Sequence, residues 1–277
     1  MLDHKKIKKN KWDNYEVKHE IQKFIDLYKS RPIKNNKGGM LFPHMFAFYF
    51  ILKKIKPKLI IESGVYRGQS TWLIEKTLPK SNIISIDTNL KSRVYISKNA
   101  HYSDQDFKFQ NFSNIPKNTL VFFDDHVSHL ERIKEAHYFN IKHVVLEDNY
   151  KKNSKKCDFY TIKQAYEKSG FKHKVNFVSY LKTLFKFQNI ILKKIFLKNY
   201  YADFELNEIN NRIRDRKIND VDYLNLKKII KDYYEFPSII DLKIQSKKFL
   251  FKKKPKELNF IKNELDYYNY ITYIKIK

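Results

Sequence analysis

Four short apolar runs between residues 59 and 146 each end at an acidic residue. They are Leu59–Ile61 before Glu62, Asn82–Ile86 before Asp87, Thr119–Phe123 before Asp124 and Val144–Leu146 before Glu147. Runs of this length, bounded by polar residues, are typical of buried strands. Helical patterns lie between them, from Ser70 onward and over Val127–Phe139. Strands that alternate with helices predict an α/β protein with a mostly parallel sheet and helices on both of its faces.

The residues before this core predict two helices. Residues 1–30 form a basic amphipathic pattern, since Ile21, Phe24, Ile25 and Tyr28 recur at helical spacing. A turn-rich loop over residues 35–40 leads into a second predicted helix at 43–54.

Beyond residue 150 the pattern is weaker. It predicts a helix at 154–170 that ends at Gly170, a strand at 172–178 and a closing strand at 268–277. The residues between these two strands are too many for a simple connection, so they predict a helical insertion over the carboxyl edge of the sheet. We expect a single domain over residues 1–277. It comprises a helical arm and lid (1–54), a cofactor-binding core (55–150) and a C-terminal part with the insertion (151–277).

Composition narrows the class of protein. The 277 residues contain one cysteine, Cys157, which excludes an intrachain disulfide framework and fits a reducing compartment. The N-terminus has no apolar leader, and the most apolar stretch, Met40–Leu52, is too short to span a bilayer. We therefore expect a cytoplasmic protein without a transmembrane segment. Leu181–Tyr201 is apolar with five lysines, so peripheral contact with an anionic membrane is an alternative to a lysine-edged core helix.

The formal net charge of +26 raises the alternative of a nucleic-acid partner. Only seven of the 56 basic residues are arginine, and Asn, Ile, Tyr and Phe are abundant. Arginine is the better donor to phosphates and base edges, so a chain that binds nucleic acid should not be so poor in it. Compositional drift of an AT-rich gene is the favoured explanation of the charge.

Glycine is rare and therefore informative. Two of the five glycines, Gly64 and Gly68, lie between the first strand and the following helix, just after Glu62. A strand that ends in an acid, a glycine turn and a helix predict a loop that binds a nucleotide-type cofactor. Asp87 ends the second strand, where a doubly wound fold places its ribose-binding acid.

The segment Glu62-x-Gly64-x-x-x-Gly68-x-Ser70 resembles motif one of Rossmann-like methyltransferases that use S-adenosylmethionine. It is most similar to the branch of macrocin O-methyltransferase and the cephalosporin hydroxylases. The resemblance implies a sheet whose last strand is antiparallel. It also implies that S-adenosylmethionine contacts these cofactor-site residues: Glu62, Gly64, Tyr66, Gly68, Ser70, Asp87, Asp106, Phe107 and Asp124.

Within that resemblance, Glu62 and Gly64 lie by the methionine end, Asp87 holds the ribose hydroxyls, and Asp106-Phe107 resembles the pair beside the adenine. A loop before the first strand folds over the cofactor, which suggests a hinge at Gly38-Gly39, with an ordinary turn as the alternative. Tyr66 replaces the middle glycine of the common pattern, as it does in this branch. A side chain there also disfavours an NAD enzyme, whose pyrophosphate needs closer approach to the backbone.

Further acids gather at the ends of the third and fourth strands of the core. Asp124-Asp125-His126 follows one strand and Glu147-Asp148-Asn149 the next. Parallel strands bring these residues to one edge, where several carboxylates repel unless a cation lies between them. Asp125, Asp148 and Asn149, or Glu147 in place of one of them, suit a divalent cation, most plausibly magnesium. The pattern is similar to catechol O-methyltransferase.

His126 follows a predicted ligand and is a candidate to accept a proton from a hydroxyl, with His129 about one helical turn further on. The sequence thus predicts an S-adenosylmethionine-dependent O-methyltransferase, assisted by a divalent cation, that acts on a hydroxyl of a glycan or small metabolite. A nucleic-acid methyltransferase and a non-catalytic binding protein with the same fold are the alternatives. The acceptor and the oligomeric state are left open.

Overall fold

A twisted seven-stranded sheet forms the centre of the chain. The computed structural model describes residues 12–150, 159, 161–164, 226, 228–240, 249–265 and 270–277. The strands of the sheet are β1 (Leu59–Ser63), β2 (Asn82–Ile86), β3 (Ala100–Ser103), β4 (Thr119–Phe123), β5 (His143–Leu146), β6 (Ile230–Glu235) and β9 (Thr272–Ile276). Their order is β3-β2-β1-β4-β5-β9-β6. The first five are parallel, whereas β9 is antiparallel to both β5 and β6, which confirms the predicted sheet.

Four α-helices belong to the described residues, namely α1 (Asn14–Lys29), α2 (Phe42–Ile55), α3 (Gln69–Thr77) and α4 (His129–Tyr138). Asp13 caps α1 by accepting a hydrogen bond from the backbone of Tyr15. Pro43 lies in the first turn of α2, where its missing N–H costs nothing. Most of α2 is buried, so its apolar run is explained as a core helix. None of the helices in the described part of the chain is long and apolar enough to cross a bilayer.

The core has two layers, one on each face of the sheet. Alternate side chains of a strand point to opposite faces, so Ile60 packs with α1, α2 and α3, while Leu59 and Ile61 pack with α4. Helices therefore cover both faces, as predicted. The all-buried strand β1 lies at the centre of the sheet.

The C-terminal part differs from the prediction. Residues 230–235 form β6, an edge strand of the main sheet, and β7 (Ser238–Ile240) pairs in parallel with β8 (Phe249–Phe251) in a second, two-stranded sheet. A helical insertion is therefore the wrong prediction for these residues. β6 is a polar edge strand with one fully buried residue, so it lacks the apolar run that marks a central strand. A 3₁₀ segment, Lys256–Glu264, follows, and the closing strand is confirmed as β9.

Three predicted elements lie outside the described residues. They are most of the helix at 154–170, the strand at 172–178 and the apolar segment 181–201. Of the first, the structure describes residues 159 and 161–164, and residues 162–164 are helical.

Candidate active site

The carboxyl ends of β1, β2, β4 and β5 meet at one edge of the sheet. Backbone hydrogen bonds continue past the strand ends: Gly64 N–H donates to Ile86, Asp124 N–H to Ser63 at 2.8 Å, and Glu147 N–H to Phe123. These bonds fix the first residue after each strand relative to its neighbour. The loops at this edge are therefore held in fixed relative positions, and each contributes a polar side chain.

The two glycines of the first loop are required by the protein itself. Gly64 has φ of 99°, and a Cβ atom at this position would lie 2.1 Å from the carbonyl oxygen of Asp124. Gly68 has φ of 85°, and a Cβ there would lie 2.3 Å from the carbonyl oxygen of Tyr95. The sequence alone predicts that these glycines make room for a ligand. In the structure the close neighbours are backbone atoms of the next loops.

Glu62 is fully buried behind this loop. Its Oε2 accepts hydrogen bonds from Thr71 at 2.6 Å and Ser85 at 2.7 Å, whereas its Oε1 has no donor. Burial raises the pKa of Glu62 to about 7, although the hydroxyls of Ser70, Thr71 and Ser85 oppose the shift. Ser70, predicted at the cofactor, is itself buried in α3 and faces this carboxylate.

Asp87 holds the first loop in place. Its Oδ2 accepts from the backbone N–H groups of Val65 and Tyr66, both at 2.8 Å, and its Oδ1 accepts from Asn89. Three of about four acceptor positions of the carboxylate are thus taken within the protein. Tyr66, with φ of 47°, lies half-exposed beside it.

The predicted lid loop touches the cofactor loop. The hydroxyl of Tyr66 donates to the carbonyl of Lys37 at 3.2 Å, and the guanidinium of Arg67 donates to the carbonyl of Asn35 at 2.6 Å. Residues 35–37 therefore lie against the loop that the sequence assigned to the cofactor.

An acidic cluster occupies the ends of β4 and β5. Ligand atoms of Asp124, His126 and Asp148 all lie within 4.8 Å of one another. Burial raises the pKa of Asp124 well above its usual value, and the charges of Glu147 and Asp148 add to the shift. His126 and Asp148 both adopt positive φ, at 58° and 54°. Strained backbone of this kind is often concentrated at functional sites.

The other predicted metal ligands have different partners. Asp125 accepts a hydrogen bond from Ser63 and is ion-paired with Arg132 at 2.9 Å. Glu147 lies 2.5 Å from Nδ1 of His44 and next to the cluster, and burial followed by the charge of Asp148 raises its pKa well above the usual value.

Asn149 is fixed by protein contacts on both sides of its amide. Its nitrogen donates to Tyr233 and Thr272, and its oxygen accepts from the backbone of Lys163. The side chain joins β5 to β6 and β9. Both the nitrogen and the oxygen of the amide are thus engaged in contacts within the protein.

His129 is a core histidine in the structure. It is 2% exposed, its Nδ1 accepts a hydrogen bond from the backbone N–H of Ile162, and its ring also bonds to the backbone of Glu147. Burial lowers its pKa to about 4. Because Nδ1 accepts, the proton is on Nε2, and both nitrogens are used. The ring of His129 is thus engaged within the core, whereas the His126 side chain is 62% exposed.

The two residues predicted beside the adenine have different surroundings: Asp106 is ion-paired, and Phe107 lies in the core. The carboxylate of Asp106 accepts hydrogen bonds from both terminal nitrogens of Arg132, at 3.0 and 2.7 Å. Phe107 is fully buried and packs against Phe112, Phe123 and Phe139.

Sequence reasoning missed two residues at this edge, Arg132 and His44. Arg132 could have been noticed as a rare arginine in a lysine-rich chain. His44 could have been noticed as the basic side chain that interrupts the apolar run 40–52.

The comparisons with known proteins concern the fold. No family model matches the chain, and no curated protein matches it. Among solved structures, apo CmcI is 18% identical over 38% of this chain and 51% of that one, with a TM-score of 0.35, so the chain spans about half the length of that neighbour. CmcI bound to SAH is 18% identical over 46% of this chain and 72% of that one, with a TM-score of 0.36. An SAH-bound Podospora anserina methyltransferase is 12% identical over 51% and 73%, respectively, with a TM-score of 0.36.

The chain has a Rossmann-like methyltransferase fold. The strand order and the antiparallel β9 carry this assignment.

Proposed function

We propose that the protein is an S-adenosylmethionine-dependent O-methyltransferase, assisted by a divalent cation, that acts on a hydroxyl of a glycan or small metabolite. The observation that carries the proposal is the position of the Asp124–His126–Asp148 cluster. It lies directly beside the glycine loop, because the backbone of Asp124 abuts Gly64. A methyl donor held by the loops after β1 and β2 would then lie next to a cation held by the loops after β4 and β5.

The residues present fit the cofactor. Asp87 is fixed by three backbone donors and keeps about one acceptor position for a ribose hydroxyl. Glu62 has a buried oxygen without a donor, and an unpaired buried acceptor is costly unless a ligand or water supplies a hydrogen. The ammonium at the methionine end of the cofactor is a donor of that kind. Asp106 and Phe107 would act through the shape of their loop, since their side chains are occupied.

The cluster also fits a cation. The carboxylates of Asp124 and Asp148 are ligands that a hard divalent cation such as magnesium prefers. Burial, and after it the charges of Glu147 and Asp148, raise the pKa of Asp124, and a cation between the carboxylates would offset their repulsion. Such a cation would supply Lewis acidity toward the acceptor hydroxyl. In the protein itself, His126 is exposed beside Asp148, with Nε2 3.8 Å from the carboxylate, and is placed to accept the hydroxyl proton.

The first test is binding. Calorimetry with S-adenosylmethionine and its demethylated product should give saturable heats with affinities in the micromolar class. A properly folded protein that binds neither ligand would contradict the cofactor assignment.

The second test is turnover with a panel of glycans and phenolic metabolites, with mass spectrometry to detect an added methyl group. Asp148→Asn should lose activity and its dependence on magnesium while it keeps cofactor binding. Asp104→Asn, which removes an exposed acid after β3, is the matched control and should behave as wild type. Full activity of the wild type in excess chelator would remove the metal from the proposal.

A further inference from the structure

Arg132 is buried at the point where several loops of the carboxyl edge meet. It lies on α4, is 1% exposed, and has the aromatic rings of Phe107 and Phe123 within 5.7 Å of its guanidinium. Arginine is almost never buried this deeply unless its charge is paired. In a chain with seven arginines and 49 lysines, its use here indicates that a planar, forked donor is required.

The guanidinium contacts three carboxylates from three segments. Nη1 and Nη2 donate to the two oxygens of Asp106, in the loop after β3. Nη2 also lies 2.9 Å from Asp125, in the loop after β4, and Nη1 lies 2.7 Å from Glu135, on the same helix. Asp125 in turn accepts a hydrogen bond from Ser63 at the end of β1. One side chain thus connects the ends of β1, β3 and β4.

The charges show how strongly this connection depends on Arg132. Burial alone would raise the pKa of Asp106, but the hydrogen bonds and charge of Arg132 outweigh it, so the pKa is lowered. Without the arginine, three acids would face one another in a low-dielectric region. Breaking a buried pair by removing one partner leaves such charges uncompensated and is strongly destabilising. The loops after β3 and β4 would then separate.

We propose that Arg132 is a positioning residue that fixes the spacing between the loop of Asp106 and the loop of Asp124 and His126. This inference deepens the proposed function, because in that proposal the first loop borders the cofactor and the second holds the acidic cluster. Arg132 is 1% exposed, so in that proposal it would act without contact to either ligand. It would set the spacing of the two loops that hold them.

The test compares Arg132→Lys, which keeps the charge but lacks the fork, with Glu135→Gln. The control removes a partner of Arg132 on its own helix and leaves the link between the two loops intact. Amide hydrogen exchange of the ligand-free proteins should show faster exchange at 103–110 and 124–128 in Arg132→Lys alone. The dissociation constant for SAH should rise about 10-fold, as the loss of outer partners does at metal sites, and it should not change in the control.

Unchanged exchange at both segments in Arg132→Lys, or a uniform increase over the whole chain, would overturn the inference and leave Arg132 a purely structural residue. If Arg132→Lys does not fold, Asp106→Asn removes the same fork with an isosteric side chain, and faster exchange at 103–110 decides the question. If the wild type binds no SAH, the proposed function fails, and the exchange data alone decide the role of Arg132.

Discussion

Replacement of Gly64 by alanine should damage both the fold and the acidic cluster. The new Cβ atom would lie 2.1 Å from the carbonyl oxygen of Asp124, whereas ordinary contact begins near 3.4 Å. The neighbour is backbone and cannot rotate away, so the segment that carries Asp124 must retreat by about 1.3 Å. A displacement of about 1 Å in a catalytic constellation can cost about 100-fold in rate.

The expected loss in the free energy of unfolding has two parts, backbone strain and steric clash. Left-handed backbone costs a non-glycine residue about 1–2 kcal/mol. Gly38 has a similar φ of 86°, but its nearest neighbour, the hydroxyl of Tyr66, is 3.7 Å from an added Cβ. Gly38→Ala should therefore be destabilised only by the backbone strain. The free energy of unfolding of Gly64→Ala should fall by about 1–3 kcal/mol more, because the clash adds an overpacking cost.

A third variant separates global stability from the site. Gly68→Ala has a comparable clash, 2.3 Å from the carbonyl of Tyr95, but at a position away from the cluster. Free energies of unfolding from urea titration and affinities for Mn²⁺ should be measured for all three variants. We expect Gly64→Ala and Gly68→Ala to be similarly destabilised, while only Gly64→Ala loses cation affinity. Equal stability of Gly64→Ala and Gly38→Ala, or wild-type cation affinity in Gly64→Ala, would refute the reasoning.

Three further predictions follow from other residues. Asn149→Ala should lower the free energy of unfolding by about 2–3 kcal/mol, because it leaves buried partners unsatisfied, and should keep wild-type Mn²⁺ affinity; loss of the cation without destabilisation would restore Asn149 as a ligand. His129, with a pKa lowered to about 4 by burial, takes up protons in the unfolded chain between pH 6.5 and 4, so stability should fall by up to about 3 kcal/mol as the pH drops through that window. Urea titrations should show a shallower fall in His129→Gln, and an identical pH dependence would contradict the burial argument. Random RNA should dissociate in filter binding near physiological salt, since diffuse lysines give nonspecific phosphate contacts, and salt-resistant, structure-dependent binding would favour the nucleic-acid alternative.

The sequence by itself determined the core of the fold and the edge of the sheet where the candidate site lies. Apolar runs that end in acids, separated by helical segments, predicted β1, β2, β4 and β5, because hydrophobic periodicity and strand length are local properties. The rule that ligands bind at the carboxyl ends of parallel strands then indicated where the candidate site lies. The two glycines of the first loop, Gly64 and Gly68, do lie where a side chain cannot fit, as expected of a chain with only five glycines.

Only the tertiary structure decided which partners each acidic residue has. In the Asp124-Asp125 doublet the two carboxylates face different surroundings: Asp124 joins the acidic cluster, whereas Asp125 meets Arg132. Asn149 is held by Tyr233 and Thr272, more than 80 residues away in the chain. Such partners arise from packing between remote segments, which no local pattern encodes. The same reason explains the edge strand β6, whose pairing with β9 depends on the folded sheet and not on an apolar run of its own.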